Sequence, residues 1–278
     1  MMARTGSPVR CAARPTARMG DGMPFVESGA ASLYWEAHGE GPAVAFLHGA
    51  GGNTLVWWQQ VDHFTRTHRV ILFDHRGFGR SRCPSAELHP RHFAEDVARV
   101  LDAAGAERAA LVCQSMGGFA GLPFALAHPE RASALVLCGT TGGLITGLVL
   151  RDVARLREKQ KQLDALHLTL SAGFLTREPA LAFLYTQLSG LTPPGVLEMA
   201  IARLADVRLR PEQLVEFTTP TLVIGGSEDA FFSRETLRGV ADAIPSAEFV
   251  ELTGVGHASY FEQPEVFNRV VGEFLAKH

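Results

Sequence analysis

Cys113-Gln114-Ser115-Met116-Gly117-Gly118 joins two segments of opposite character. Before it, Ala109 to Gln114 is a short, almost wholly apolar run of strand length; after it, Met116 to Ala127 has helical length and many small residues. A serine at so abrupt a strand-to-helix turn is held in strained backbone geometry with its hydroxyl exposed. Strand and helix approach each other only if the positions two before and two after the serine are small. Gly117 meets that demand fully and Cys113 approximately.

Outward from this junction, short apolar runs alternate with longer helical ones, the mark of βαβ units that lay helices on a mostly parallel sheet. Ala31 to Ala37 and Ala43 to Leu47 read as an opening antiparallel pair joined around Gly39-Glu40-Gly41, and Arg69 to Phe73 as the next strand. Pro90 opens a helix through Ala104, with Phe93, Val97, Val100 and Leu101 on one buried face, and Gly105 ends it. Ala132 to Leu137 is another apolar strand. From Thr140 to Phe217 the rhythm breaks and only helices are predicted: Leu144 to Leu166, Pro179 to Leu188 and Gly195 to Leu204. Alternation resumes with Thr221 to Ile224, Arg234 to Ala243, Glu248 to Leu252 and a closing helix from Pro264 to Lys277.

The 278 residues are 46% hydrophobic and 20% charged with a net charge of −3, ordinary for a globular enzyme and without the basic stripe that nucleic-acid binding needs. Cysteines 11, 83, 113 and 138 form no CxxC pair and read as reduced thiols, which points to the cytoplasm. No apolar run reaches the roughly 18 residues of a membrane span, so no membrane association is expected. The eleven histidines show no H-E-x-x-H or comparable set, so no metal is expected. Residues 1–24 carry Arg4, Arg10, Arg14 and Arg18 without an apolar run or helical period, and read as a disordered leader outside the fold.

Two further loops follow strands. Ala43 to Leu47 runs into His48-Gly49-Ala50-Gly51-Gly52-Asn53, and Arg69 to Phe73 into Asp74-His75-Arg76-Gly77-Phe78-Gly79-Arg80-Ser81. With the junction at Ser115, these resemble the α/β-hydrolase family: its G-x-S-x-G elbow, with Cys113 departing from the first glycine, its glycine-rich oxyanion loop and its D-x-R-G-x-G-x-S turn. The resemblance runs from Phe25 to the C-terminus. It implies an α/β-hydrolase fold with a mostly parallel sheet of the eight-stranded type flanked by helices. Residues 25–140 and 218–278 would form the core and 141–217 an inserted helical lid.

The resemblance also implies roles. Ser115 is the nucleophile, and the Met116 and Ala50 N–H groups are the natural donors to a developing oxyanion, with Gly51 the alternative to Ala50. His48 is read as holding its loop. A serine needs a base, and the base an orienting group. After the strand at 221–224, Gly225-Gly226-Ser227-Glu228-Asp229 offers two acids, and the family spacing G-x-x-D from Gly226 selects Asp229 over Glu228. The other location some members use holds only Gly139, Thr140 and Thr141. Gly254-Val255-Gly256-His257-Ala258 supplies His257 before the last helix, completing the family's order Ser, Asp, His.

The implied reaction is cofactor-free hydrolysis of a small-molecule carboxylic ester or lactone. Carbon–carbon bond hydrolases of ring-cleavage diketones and perhydrolases share the residue set, and a receptor-like member with slow turnover is the reading from another class. Leu148, Phe183 and Gly51 are expected to face the substrate, with apolar lid residues such as Leu144, Phe174 and Leu188 around them, and Gly142-Gly143 offers a hinge. Trp57 and Trp58 read as one packing and one interfacial aromatic. The run from Arg151 to Lys161 reads as a solvated helix face. Oligomeric state leaves no mark on the sequence.

Overall fold

Along β3 (Ala43–Leu47), Val44 and Phe46 point to one side of the sheet while Ala45 and Leu47 point to the other, and all four are buried. The same alternation divides β4 (Arg69–Phe73), β5 (Ala109–Gln114) and β6 (Ala132–Cys138) between two separate apolar clusters. A strand apolar on both faces needs a helical layer on each, which is why the chain folds as helix, sheet, helix. The computed structural model describes residues 24–245 and 247–278. The leader read at residues 1–24 therefore lies outside them, except for Pro24.

Eight strands make one sheet in the order β1-β2-β4-β3-β5-β6-β7-β8, with β1 (Phe25–Ser28), β2 (Ala31–His38), β7 (Thr221–Gly226) and β8 (Glu248–Leu252) joining those above. β1 and β2, and β2 and β4, pair antiparallel; every other pair is parallel. This corrects the expectation that β2 and β3 form a hairpin: β4 lies between them. The connection crosses that strand's entry so closely that a Cβ on Gly39 would stand 2.6 Å from the His68 carbonyl oxygen, and one on Gly41 2.7 Å from that of Thr67. The glycines serve a crossing rather than a two-strand turn. β1, four residues long, has too short a pattern to read.

Helix α1 (Trp58–Phe64) covers the sheet face that is completed at the C-terminus by α10 (Ser259–Glu262) and α11 (Pro264–Leu275), with Phe64, Phe267 and Val271 in one cluster. α2 (Phe93–Ala103) and α3 (Gly118–Ala127) cover the other face through Val97, Leu101 and Ala120. The turn of 3-10 helix at Pro90–His92 precedes α2, and Gly105 at φ 63° stops it.

Between β6 and β7 lie five helices: α4 (Gly147–Lys159), α5 (Ala165–Thr169), α6 (Ala172–Arg177), α7 (Pro179–Ser189) and α8 (Val196–Leu204). The single helix expected over 144–166 is α4 and α5 with a break between them, and Asp164 caps the second by accepting from the His167 N–H at 2.9 Å. The two ends of this segment are tied together, since Leu209 N–H donates to Gly143 O at 2.8 Å and Ile145 N–H to Leu209 O at 2.9 Å. Gly142 and Gly143 take φ 60° and 92°, but both are buried and pinned by this bridge, so the expected hinge is a clasp. After β7, α9 (Arg234–Ala243) returns to the face of α2 and α3 through Leu237 and Val240.

Candidate active site

Ser115 is the one described residue other than glycine with a left-handed backbone, at φ 49°. That conformation costs an L-residue on the order of 1–3 kcal/mol and persists only where packing over-determines it. Here it ends β5 and begins a 3-10 turn, Ser115–Gly117, that feeds α3. The crowding explains the glycines: a Cβ on Gly117 would overlap the Leu47 carbonyl, and one on Gly118 the Thr140 side chain. It also explains Cys113. Its sulfur occupies the space left by Gly121, one turn into α3, where a Cβ would overlap Sγ. The small-residue demand that glycine usually meets at position 113 is met at 121 instead, and burial keeps the Cys113 thiol protonated by pushing its pKa up.

His48-Gly49-Ala50-Gly51-Gly52 lies directly beside this turn. A Cβ on Gly49 would come within 3.0 Å of Ser115 Cβ. Gly52 N–H donates to Gly49 O at 3.0 Å, and Gly51 takes φ 80°. His48, fully buried, bonds Gly49 O through Nδ1 at 2.8 Å and accepts the His75 N–H on Nε2 at 2.9 Å, so both ring nitrogens are spent on holding loops. Asp74 does the same for the neighbouring turn, taking the Thr54 N–H on Oδ1 and the Arg80 N–H on Oδ2, each at 2.7 Å. Arg76 reaches instead to Asp96 of α2 through two bonds of 2.7 and 2.5 Å.

Asp229 follows β7 on a loop that turns back at once. Its Oδ1 accepts the N–H groups of Phe231 at 2.7 Å and Phe232 at 3.2 Å, and its Oδ2 meets His257 Nδ1 at 2.9 Å. Glu228 is exposed, while the Asp229 side chain is fully buried. The two loops that carry Asp229 and His257 touch so closely that a Cβ on Gly226 would overlap the Gly256 carbonyl. The imidazole lies over the end of β6, where a Cβ on Gly139 would be 3.0 Å from Nδ1, and the Phe231 ring stacks on it at 4.1 Å between centroids and 27°. Gln114 reaches across from the residue before Ser115 to the His257 carbonyl, 3.4 Å from Nε2 of its amide. His257 is 4% exposed, and its own Nε2 is buried with no hydrogen-bond partner among the described residues.

An imidazole with Nδ1 held by a carboxylate and Nε2 without a hydrogen-bond partner among the described residues is equipped to take a proton from a hydroxyl. The fold thus brings Ser115, Asp229, His257 and the Ala50 and Gly51 loop to one edge of the sheet. Of the two lid residues expected at the substrate, Leu148 packs on Gly239 of α9 and Phe183 of α7 is 66% exposed. Trp57 is fully buried against Tyr260 at 4.4 Å, and Trp58 is 47% exposed.

The helical segment is bonded to both candidate loops. Asn53 Nδ2 donates to Leu188 O at 2.9 Å and Thr192 Oγ1 to Gly51 O at 3.2 Å. On the other side, the His257 and Ala258 N–H groups both donate to Thr169 O. Phe231 and Thr169 carried no signal in the sequence, since each acts through a backbone group or a ring face, and neither did the contact of the Gln114 amide with a backbone carbonyl. Among the described residues no set of three or more His, Cys, Asp or Glu could hold a metal, and no helix is long and apolar enough to cross a membrane.

With this geometry in place, the α/β-hydrolase-fold family matches residues 42–264. The chain belongs to that family. It is 30% identical to a protein of Azorhizobium caulinodans assigned as the carbamate hydrolase RutD, over 92% of this chain and 99% of that one. A 2-hydroxy-6-oxononadienedioate/2-hydroxy-6-oxononatrienedioate hydrolase of Paraburkholderia phymatum is 32% identical over 84% of this chain and 87% of its own. The crystal structure of the enol-lactonase of Burkholderia xenovorans superposes with a TM-score of 0.77 at 25% identity, covering 91% of this chain and all of that one. All three are hydrolases, and this chain is a hydrolase of the same fold.

Proposed function

We propose that this α/β hydrolase cleaves a small carboxylic ester or lactone through an acyl-enzyme on Ser115. The observation that carries the reading is His257: Asp229 engages Nδ1 at 2.9 Å, and Nε2 is buried without a hydrogen-bond partner among the described residues. Ser115 Oγ attacks the acyl carbon while Nε2 takes its proton, and Asp229 fixes the tautomer and stabilises the imidazolium. The charge that develops on the carbonyl oxygen meets the Met116 and Ala50 N–H groups, with Gly51 bordering the substrate; such a donor is worth about 3 kcal/mol of barrier in a water-poor site. The imidazolium then protonates the leaving alcohol. Water, deprotonated by the same nitrogen, releases the acid and restores Ser115. Nothing in this cycle calls for a cofactor.

Residues 141–217 act in this reading as a lid, supported by the bonds from Leu188 and Thr192 to the oxyanion loop and from Thr169 to the His257 loop. The three described cysteines are free thiols, which supports the cytoplasm as its compartment.

Carbamates and vinylogous diketones are the second reading, favoured by the carbamate hydrolase and the ring-fission hydrolase among its relatives. A panel of a p-nitrophenyl ester, a lactone, a carbamate and a vinylogous diketone, assayed for kcat/KM, ranks the readings. Multiple turnover that is fastest on the ester or lactone supports the proposal. A preference of about 100-fold or more for the carbamate or the diketone overturns it, being beyond what loose pocket fit supplies. A single turnover followed by a trapped acyl group would instead indicate a receptor-like protein.

A further inference from the structure

The backbone of His257 is anchored outside its own loop. Its N–H donates to Thr169 O at 2.9 Å and that of Ala258 to the same oxygen at 3.2 Å. Thr169 ends α5, and the chain leaves it extended, with Leu170 at φ −106°, ψ 144° and Ser171 at φ −65°, ψ 147°. The two extended residues between these short helices have no ladder of their own to hold them in place.

Leu170 N–H donates back into α5, to Leu166 O at 2.9 Å, and what ties Ser171 to the His257 loop is one carboxylate. Glu262, at the end of α10, accepts the Ser171 N–H at 3.0 Å and the Gly256 N–H at 2.9 Å on Oε1, and the Ser171 hydroxyl at 2.5 Å on Oε2. Gly256 directly precedes His257. The fit leaves no slack: a Cβ on Gly256 would stand 2.8 Å from Ser171 N and 2.9 Å from both Glu262 Oε1 and Thr169 O. Glu262 is 8% exposed and has no basic partner among the described residues. Burying an unpaired carboxyl is unfavourable, and here three donors from two chain segments offset that cost.

We infer that Glu262 is a positioning residue for His257: by clamping Ser171 to Gly256 it seats segment 169–171 of the lid against the His257 backbone, so that lid and base form one unit. The inference rests on the reading of His257 as the general base. Rotation of the loop about Gly256 would carry Nε2 away from Ser115, and a displacement of about 1 Å costs on the order of 100-fold in rate. Because Oε1 accepts two N–H groups and Oε2 faces a hydroxyl, a carboxamide satisfies the same contacts. Glu262→Gln keeps the clamp, whereas Glu262→Asp withdraws it by one methylene while keeping the charge.

The test measures kcat and KM for a p-nitrophenyl ester, and the downfield proton resonance of His257 Nδ1–H, on folded Glu262→Gln, Glu262→Asp and Glu262→Ala, with His257→Ala in parallel. The aspartate and alanine variants are expected to lose about 10- to 100-fold in kcat with KM within about twofold, and to lose or broaden the resonance. The glutamine variant stays within about threefold of the parent. An aspartate variant with parental kcat, or a glutamine variant as impaired as the aspartate one, overturns the inference; should the alanine variant fail to fold, that pair still decides. Retained turnover in His257→Ala would instead remove the base assignment, whatever the Glu262 variants do.

Discussion

Asp229 Oδ2 stands 2.9 Å from His257 Nδ1 while the two backbone N–H groups of Phe231 and Phe232 fasten Oδ1, so the carboxylate is fixed before it fixes the imidazole. Asp229→Asn is expected to keep the fold and to lower kcat by about 10³- to 10⁴-fold, since an amide stabilises the wrong tautomer and does not support imidazolium. Glu228→Gln, on an exposed side chain, should change kcat less than about threefold. Steady-state ester hydrolysis checks both, and exchanged phenotypes would make Glu228 the orienting acid.

Cys113 and Gly121 share one small volume behind the nucleophile. Gly121→Ala gains helix propensity of about 1 kcal/mol but forces its Cβ into Cys113 Sγ, so a net loss of about 1–2 kcal/mol is expected. In a Cys113→Gly background the same substitution should be stabilising. Urea denaturation of the four proteins gives the coupling energy, and additivity within about 0.5 kcal/mol would mean the two side chains do not compete.

His75 is fully buried beside Phe73 and Phe93, at 4.9 and 5.1 Å, and neither ring nitrogen has a hydrogen-bond partner among the described residues. Burial pushes its pKa well below 6.5 and lowers that of His48 as well, chiefly by desolvation of the charged form. The folded state keeps both neutral, while the unfolded chain protonates them near pH 6.5, so the unfolded state binds more protons below that value. Stability is therefore full above about pH 6.5 and falls as the pH drops, each histidine adding a slope of about 1.4 kcal/mol per pH unit. Urea melts from pH 7.5 to pH 5 should show a shallower fall for His75→Phe than for the parent. Equal slopes would mean that His75 is protonated in the fold.

Phe174 and Phe183 lie nine residues apart in the helical segment with opposite fates: the first is 2% exposed and meets Phe261 at 6.1 Å, the second is 66% exposed. Phe174→Ala should cost about 3–5 kcal/mol by leaving a cavity, and Phe183→Ala about 0.5 kcal/mol or less. Thermal melts separate them. A change in the ranking of short against medium acyl esters on Phe183→Ala would return that residue to the pocket, where its helical period first suggested it.

The sheet, the helices around it and the residues at the strand ends were legible because each depends on local sequence: period-two apolar runs, small residues at a strained turn, an acid and a histidine after named strands. Strand order was not. The antiparallel reading of β2 and β3 failed because Gly39 and Gly41 serve a crossing over β4, which only the third dimension reveals. In the helical segment, periodicity identified apolar faces without saying what each face meets: Phe174 and Leu144 are buried, Leu148 packs on Gly239 and Phe183 is exposed. Glu262 and Thr169 were invisible because they act on the His257 loop through backbone groups, and Glu262 pairs with Ser171 91 residues away in the chain.

Ser115 is the proposed nucleophile, and intact-protein mass spectrometry after exposure to a fluorophosphonate tests this most directly. The parent protein is predicted to gain one phosphonyl adduct, carried by the peptide that contains Ser115, with loss of ester hydrolysis in the same proportion. Ser115→Ala should gain none and lose essentially all turnover. Labelling of Ser115→Ala at the parental rate, or an adduct on any other residue accompanied by loss of activity, would contradict the account.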